Sequence, residues 1–378
     1  MHYQHIVIGA GSMGMAAGYF LANQGKEVLM LDAFNPPHEQ GSHHGGTRLI
    51  RYAYGEGVEY VPFAIRASEL WQTLQAETPR EIFKQTGVLN VGRSDGVFVR
   101  NVCESAKTFE LPLAVLTAAE VNEKWPGLTL PADLLGCFEP TSGILLVEEC
   151  IAAYREAALK AGAELRLNSR VIRINPQQGN EPVTIETADG AVFTADAVIV
   201  SVGAWAGELL QQLDLKLPVT PIRKTFAWYE ATNDLYDEQS FPGFAFDLGD
   251  SAYYGFPSVA GAGLKLGRHD GGLPINPDEP KQAFGTVKGD EEELTEFLRR
   301  FMPQVGALKE GKTCMYTMTP DEDFVIDLHP TYRNIAIAAG FSGHGFKFAS
   351  AVGEIVSDLV TRGETTLDIS PFSLDRFQ

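Results

Sequence analysis

An α/β chain of two lobes, one on a parallel sheet with crossover helices and one on an antiparallel sheet, is predicted by three observations. A strand, a glycine turn, a helix and a second strand follow one another in the first 33 residues. The chain returns to the same texture three times further along. Between the returns lie β-rich runs broken by Gly, Pro, Asn and Asp. At 378 residues the chain is also too long for one simple core.

The first unit is "HIVIGAGSMGMAAGYFLANQGKEVLMLDA". It reads as a strand from His5 to Ile8, a helix to about Asn23 and a strand from Glu27 to Leu31. The turn holds G-x-G-x-x-G at Gly9, Gly11 and Gly14, and Asp32 closes the second strand. Gly9 permits the tight turn, Gly11 lets backbone approach a pyrophosphate, and Gly14 allows close helix–strand packing. The helix N-terminus would face phosphates with unpaired N–H groups, and Asp32 can accept hydrogen bonds from a ribose. Set between a strand and a helix, the triplet predicts a Rossmann-like dinucleotide site; the alternative is a glycine-rich turn with no ligand.

The returns follow in order. "ECIAAYREAALKAGAELRLNSRVIRI" reads as a helix and a strand. "FTADAVIVSVGAWAGELL" reads as a buried strand from Ala197 to Val202, a turn at Gly203 and a new helix. "RNIAIAAGFSGHGFKFASAVGEIVSDLV" reads as an apolar strand from Ile335 to Ala339, a loop with Gly340, Gly343 and Gly345, and a helix. Its N-terminus is a second place where backbone N–H groups can hold negative charge. Three returns to one lobe suggest a flavoprotein more than a simple nicotinamide dehydrogenase.

Composition narrows the partners. Lys+Arg number 30 against 49 Asp+Glu, a net charge of −19, which repels nucleic acid and anionic membrane surfaces. No apolar run reaches membrane-spanning length, "MHYQHIVIGAG" enters a strand at once, and "SLDRFQ" carries no address signal, so a cytoplasmic location is expected. Cys103, Cys137, Cys150 and Cys314 show neither C-x-x-C nor zinc-like spacing, which fits reduced thiols. Cys314, beside Lys312, Thr313 and Thr319, reads as lying on a strand or its edge rather than in a sealed core. On its own it is a small hydrophobe. His43 and His44 would point to opposite faces of an extended segment, and Asp321, Glu322 and Asp323 read as a loop or cap, so no metal is expected.

The stretches "GAGSMG", "GSHHGGTRLIRYAYGEG", "YYGFPS", "GLKLGRH", "CMYTMTPDEDF" and "GFSGHGFKF" together resemble the monomeric sarcosine oxidase and N-methyltryptophan oxidase family, from Ile6 to the "FSLDRFQ" end. The resemblance implies an α+β two-domain flavoprotein of glycine-oxidase-like fold. A Rossmann-like FAD-binding domain would comprise residues 1–81, 146–215 and 320–378; an antiparallel β-sheet substrate domain would comprise 82–145 and 216–319. It further implies a monomeric flavin-dependent amine oxidase that turns an N-methyl amino acid, O₂ and water into the demethylated amino acid, formaldehyde and H₂O₂. Sarcosine is the leading substrate. N-methyl-L-tryptophan, proline or pipecolate is the alternative, with a nicotinamide-dependent dehydrogenase or a non-catalytic FAD-binding protein more remote.

Site residues follow from the same resemblance. Cys314 matches the cysteine that holds the flavin 8α-methyl in a thioether, making the cofactor covalent 8α-S-cysteinyl FAD. Cofactor contacts are implied for Gly9, Gly11, Ser12, Met13, Gly14, Asp32, Ser42, Thr47, Arg48, Val171, Gly203, Gly343, Gly345, Phe346 and Lys347. Arg51 and Lys347 take the substrate carboxylate, an arginine as a planar fork and a lysine as a point charge. Arg48 lies against the flavin ring, His44 and His269 are active-site histidines, and Tyr254 is a substrate-binding pocket wall with its hydroxyl near the substrate carboxylate. Lys265, with Leu264 and Leu266 on the opposite strand face, supplies positive charge where O₂ is reduced. Read without the resemblance, Arg51, Lys347 and Lys265 are ordinary solvated cations and Tyr254 a sheet tyrosine. Two positions depart from the family pattern: Gly46 in place of Asp, expected to loosen a local hydrogen bond, and Ala245 in place of a larger methionine that narrows the pocket.

Overall fold

A computed structural model describes residues 1–177, 181–231 and 234–377. The opening strand runs from His2 to Ile8, three residues earlier than its hydrophobic pattern predicts, because Thr194 and Ala195 of a neighbouring strand continue the pairing to His2 and Tyr3. Helix Ser12–Asn23 and strand Val28–Leu31 follow. The parallel core of the first sheet has the order Ile335–Ala339, Val192–Val200, His2–Ile8, Val28–Leu31 and Glu164–Arg166. Strand Val192–Val200 is shared: its first half pairs antiparallel with Val183–Thr187 and its second half parallel with Ile335–Ala339. It ends at Val200 rather than Val202, where the chain turns through Gly203–Trp205 into helix Ala206–Gln211.

Helix Ser12–Asn23 packs against Ala349–Arg362 and Val147–Lys160. Small residues set the first contact: a Cβ on Gly353 would lie 2.5 Å from that of Ala16. Helix Ala349–Arg362 therefore approaches helix Ser12–Asn23 closely one turn after the glycine turn.

The second sheet has nine strands among the described residues. Its pairings are antiparallel apart from one: Gly243–Asp247 runs parallel to Val88–Arg93. Alternation gives the sheet two distinct faces. Phe244 and Phe246 pack with Tyr253, Leu264 and Leu266 against Phe297 and Phe301 of helix Glu292–Phe301. The opposite face is turned toward the first lobe. A three-stranded sheet of Thr47–Ile50, Gly143–Leu146 and Phe83–Lys84 stands between the two larger sheets in sequence.

Strand Leu308–Met318 pairs along its length with Thr220–Tyr229, at the edge of the second sheet. Cys314 nevertheless has only 1% of its surface exposed, which corrects the expectation of an unsealed position. Phe226, Ile222 and Tyr316 pack around it. The glycine segment at Gly45 presses onto Phe226, where a Cβ would come within 2.6 Å of the ring. Asp321 and Asp323 sit in a turn and are used by Arg376 and by the Tyr60 hydroxyl. No helix among the described residues is long and apolar enough to cross a membrane. Among them no cluster of three or more His, Cys, Asp or Glu is placed to hold a metal ion.

Candidate functional site

The glycine turn has the conformation a dinucleotide cleft demands. Gly9 has φ +87° and a Cβ there would meet Ser201 O at 2.6 Å; a Cβ on Gly14 would lie 1.9 Å from Gly9 O. Only glycine fits either place, and the backbone stays bare at the head of helix Ser12–Asn23. Asp32 accepts from the N–H groups of Ala10 and Phe34, both at 2.8 Å, with His38 Nε2 3.6 Å away. One cavity of about 270 Å³ joins Gly9, Gly11, Ser12, Met13, Asp32, Ser42, Arg48, Val171, Gly203, Gly343, Gly345 and Phe346. Gly14, Thr47, Lys347 and Cys314 do not line it. The cavity also takes in Phe34, Ser169, Arg170, Trp205, Tyr316 and Ser342, which no local pattern marks. A bare glycine cradle with an acidic residue behind it fits a dinucleotide.

The rest of the site is laid out on one face of the second sheet. Residues directly across a ladder share a face. Cys137 is opposite Asn90, Asn90 opposite Ala245, Ala245 opposite Tyr254, Tyr254 opposite Gly267 and Gly267 opposite Phe226. Lys265 lies two residues from Gly267, and Lys224, two from Phe226, is opposite Cys314. The floor thus carries Asn90, Ala245, Tyr254, Lys265, Lys224 and Cys314 on a single surface, although they come from six strands.

Lys265 has 1% of its surface exposed. Its Nζ donates to Gly45 O at 2.6 Å and Thr47 O at 3.1 Å and lies over the rings of Phe226 and Phe256 at 4.6 and 4.8 Å. No carboxylate pairs with it among the described residues. Burial, helped by Arg48, holds its pKa well below the lysine range, while Glu148 pulls the other way. Glu148 Oε1 accepts from the N–H groups of Gly45 and Gly46 at 3.0 and 3.2 Å. Gly46, at φ +82°, thus has its backbone N–H bonded to a carboxylate from a distant helix.

Arg48 donates to Thr47 O and Ser42 O at 2.8 and 2.9 Å and borders the cavity. His44 lies tilted against Phe226, ring centres 5.8 Å apart, and neither ring nitrogen has a partner among the described residues. Burial, then Arg48 and Lys281, take its pKa down to about 3, so the ring is neutral. Burial pushes the Cys314 thiol above its ordinary range, opposed by four cations, Arg48, Lys265, Lys224 and Lys281. A thiolate formed there has that charge to stabilise it.

A second group of charges faces the Arg51–Gly57 loop. The buried Arg51 guanidinium pairs with Glu56, donates to Asn90 Oδ1 at 3.4 Å and lies 4.6 Å from the Tyr54 ring. Burial alone would raise Glu56; Arg51, His344, Lys347 and His269 outweigh it and bring the carboxyl to about 2. Lys347 Nζ donates to Tyr54 OH at 2.9 Å and His344 O at 2.8 Å. Burial and then Arg51 lower its pKa to about 7. His269 lies between Tyr254 and Tyr316, ring centres 6.4 and 5.6 Å apart, and burial takes it to about 4. Burial raises the Tyr254 hydroxyl to about 12, so it stays protonated. Glu56, Asn90, His344 and Glu148 join the predicted residues here; "YGEG" and "GHG" carried Glu56 and His344 in plain view, whereas Asn90 and Glu148 have no local signal.

The FAD dependent oxidoreductase family matches residues 4–359. The chain is 50% identical to the monomeric sarcosine oxidase of Bacillus sp. (strain B-0618), over 99% of this chain and 96% of that protein. It is 42% identical to the N-methyl-L-tryptophan oxidase of Yersinia pestis (strain Pestoides F), over 100% of both. Among solved structures, glycine oxidase from Geobacillus kaustophilus superimposes with a TM-score of 0.81 at 23% identity, covering 99% of this chain and 98% of the other, a likeness of fold.

Proposed function

The chain belongs to the FAD dependent oxidoreductase family, and we propose that it oxidatively demethylates N-methyl amino acids, sarcosine first: sarcosine, O₂ and water give glycine, formaldehyde and H₂O₂. The observation that carries this reading is the paired cation pocket at Arg51 and Lys347, with the buried Lys265, unpaired by any carboxylate among the described residues, on the same sheet floor as Asn90, which accepts from Arg51. Half identity to a monomeric sarcosine oxidase along the whole chain supports it.

When bound, FAD accepts two electrons from the substrate and passes them to O₂. Its dinucleotide would lie along Gly9, Gly11, Ser12 and Met13, with Asp32 at a ribose and Gly343, Gly345 and Phe346 across the cleft. Cys314 is read as its covalent anchor, a thiol on the sheet face ringed by Arg48, Lys265, Lys224 and Lys281.

Arg51 and Lys347 hold the substrate carboxylate, which must displace Glu56 from Arg51 to bind bidentately. Their positive charge lowers the pKa of the substrate amine and favours the neutral form, the one with a lone pair to lose electrons from. Neutral His44 and His269 add hydrogen-bonding capacity without adding charge, and Tyr254, still protonated, closes the pocket wall. Arg48 and Lys265 provide charge where O₂ is reduced. The domain division at 1–81, 146–215 and 320–378 against 82–145 and 216–319, the monomeric state and a cytoplasmic location belong to the same reading.

A second substrate reading has its own support. Ala245 sits between Asn90 and Tyr254 on the sheet floor, and a methyl there leaves room that a longer side chain would fill. N-methyl-L-tryptophan, proline or pipecolate would use that space. Peroxide release from a panel of sarcosine, N-methyl-L-tryptophan, proline and pipecolate tests both readings. Sarcosine should give the highest kcat/KM; silence from all four would overturn the assignment.

A further inference from the structure

Cys103 and Cys137 face each other with their sulfurs 3.9 Å apart, and the function proposed above uses neither. Cys103 is half-buried on helix Val97–Thr108; Cys137 is fully buried on strand Leu134–Glu139. Both elements hold the loop that carries the carboxylate pocket. From the helix, Ser105 Oγ donates to Tyr54 O and Asn101 Nδ2 to Gly55 O, each at 2.9 Å, and Phe98 lies 5.5 Å from the Arg51 guanidinium. From the strand, Cys137 is paired with Asn90, whose Oδ1 accepts from Arg51. The two sulfurs therefore touch each other beside the Arg51–Glu56 segment, in one cluster with Ala53.

We propose that Cys103 and Cys137 form a peroxide-responsive dithiol whose oxidation to a disulfide shifts helix Val97–Thr108 and weakens substrate binding at Arg51. A disulfide needs an S–S distance of about 2.05 Å, so the sulfurs must close most of the present gap. The chemistry balances with one H₂O₂. The Cys103 thiol is oxidised to a sulfenic acid, releasing water; the Cys137 sulfur then displaces the hydroxyl, forming the S–S bond and a second water. Burial, then Cys103, raise the Cys137 thiol to about 12, which leaves Cys103 as the one that peroxide oxidises first. Cys103 is the more exposed residue of the pair. In a reducing compartment such a bond is transient and reports peroxide. That turnover supplies the peroxide and that Arg51 binds the substrate rest on the oxidase reading; the dithiol does not, and the crosslink formed by added H₂O₂ separates the two.

The test treats the holoenzyme with H₂O₂, quenches it with catalase, and maps peptides without reduction. A peptide joining Cys103 to Cys137 is expected, with KM for sarcosine raised about fivefold, the cost of one loosened hydrogen bond. Dithiothreitol should reverse both, and Cys103→Ser, at a half-buried position, should show neither. Absence of the crosslink would overturn the proposal. So would a crosslink with unchanged KM, or a Cys103→Ser enzyme that loses affinity under peroxide as the wild type does.

Discussion

The Arg51 guanidinium is paired with the Glu56 carboxylate five residues further along the chain. Arg51 is buried, whereas the Glu56 side chain is 31% exposed, so the carboxylate can leave and the cation cannot. The ligand carboxylate and Glu56 then compete for one fork. Glu56→Gln should tighten carboxylate inhibitors by about fivefold, a partly screened ion pair. Arg51→Ala should weaken them by about thirtyfold. Inhibitor titration of both variants measures this, and weaker binding by Glu56→Gln would refute the competition.

Lys347, with its pKa near 7, makes that binding depend on pH. A bound carboxylate favours the protonated amine, so affinity should be fullest below pH 7 and fall as pH rises through it. In Lys347→Met the step should vanish and affinity stay low throughout. Inhibitor dissociation constants from pH 6 to 9 show the outcome; a step that survives in the variant would assign it to another group.

Cys314→Ser removes the thiol that Arg48, Lys265, Lys224 and Lys281 surround. Yellow colour should then leave the protein on acid precipitation, where the wild type keeps it in the pellet, and turnover should fall sharply. Covalent flavin retained by the variant would place the anchor at another residue.

Lys265→Met keeps the length of the side chain and its contacts with Phe226 and Phe256 but removes the cation. Losing one strong electrostatic contact from a dry site costs about 3–4 kcal/mol, several hundredfold in rate. That loss should fall on reoxidation by O₂ and spare anaerobic reduction by sarcosine. Stopped-flow traces of the two half-reactions separate them, and a collapse of reduction alone would assign Lys265 to substrate binding.

What the sequence determined by itself is what neighbouring residues decide between themselves. Gly9, Gly11, Gly14 and Asp32 lie within 24 consecutive residues, and the steric freedom of glycine, the strand period and the helix start are all local. The α/β class, the dinucleotide cleft and the alternation that sets Lys265 apart from Leu264 and Leu266 were therefore legible. Tertiary structure alone decided burial and partnership. Cys314 looked only partly covered from its neighbours Lys312 and Thr313, yet the Gly41–Arg48 segment, some 270 residues away, presses Gly45 onto Phe226 beside it. Lys265 is caged by Phe226 and Phe256 from two other strands, and Arg51 meets Asn90 only through the fold. Charge, desolvation and hydrogen bonding depend on distances in space, and no spacing along the chain encodes which distant strand will close over a given side chain.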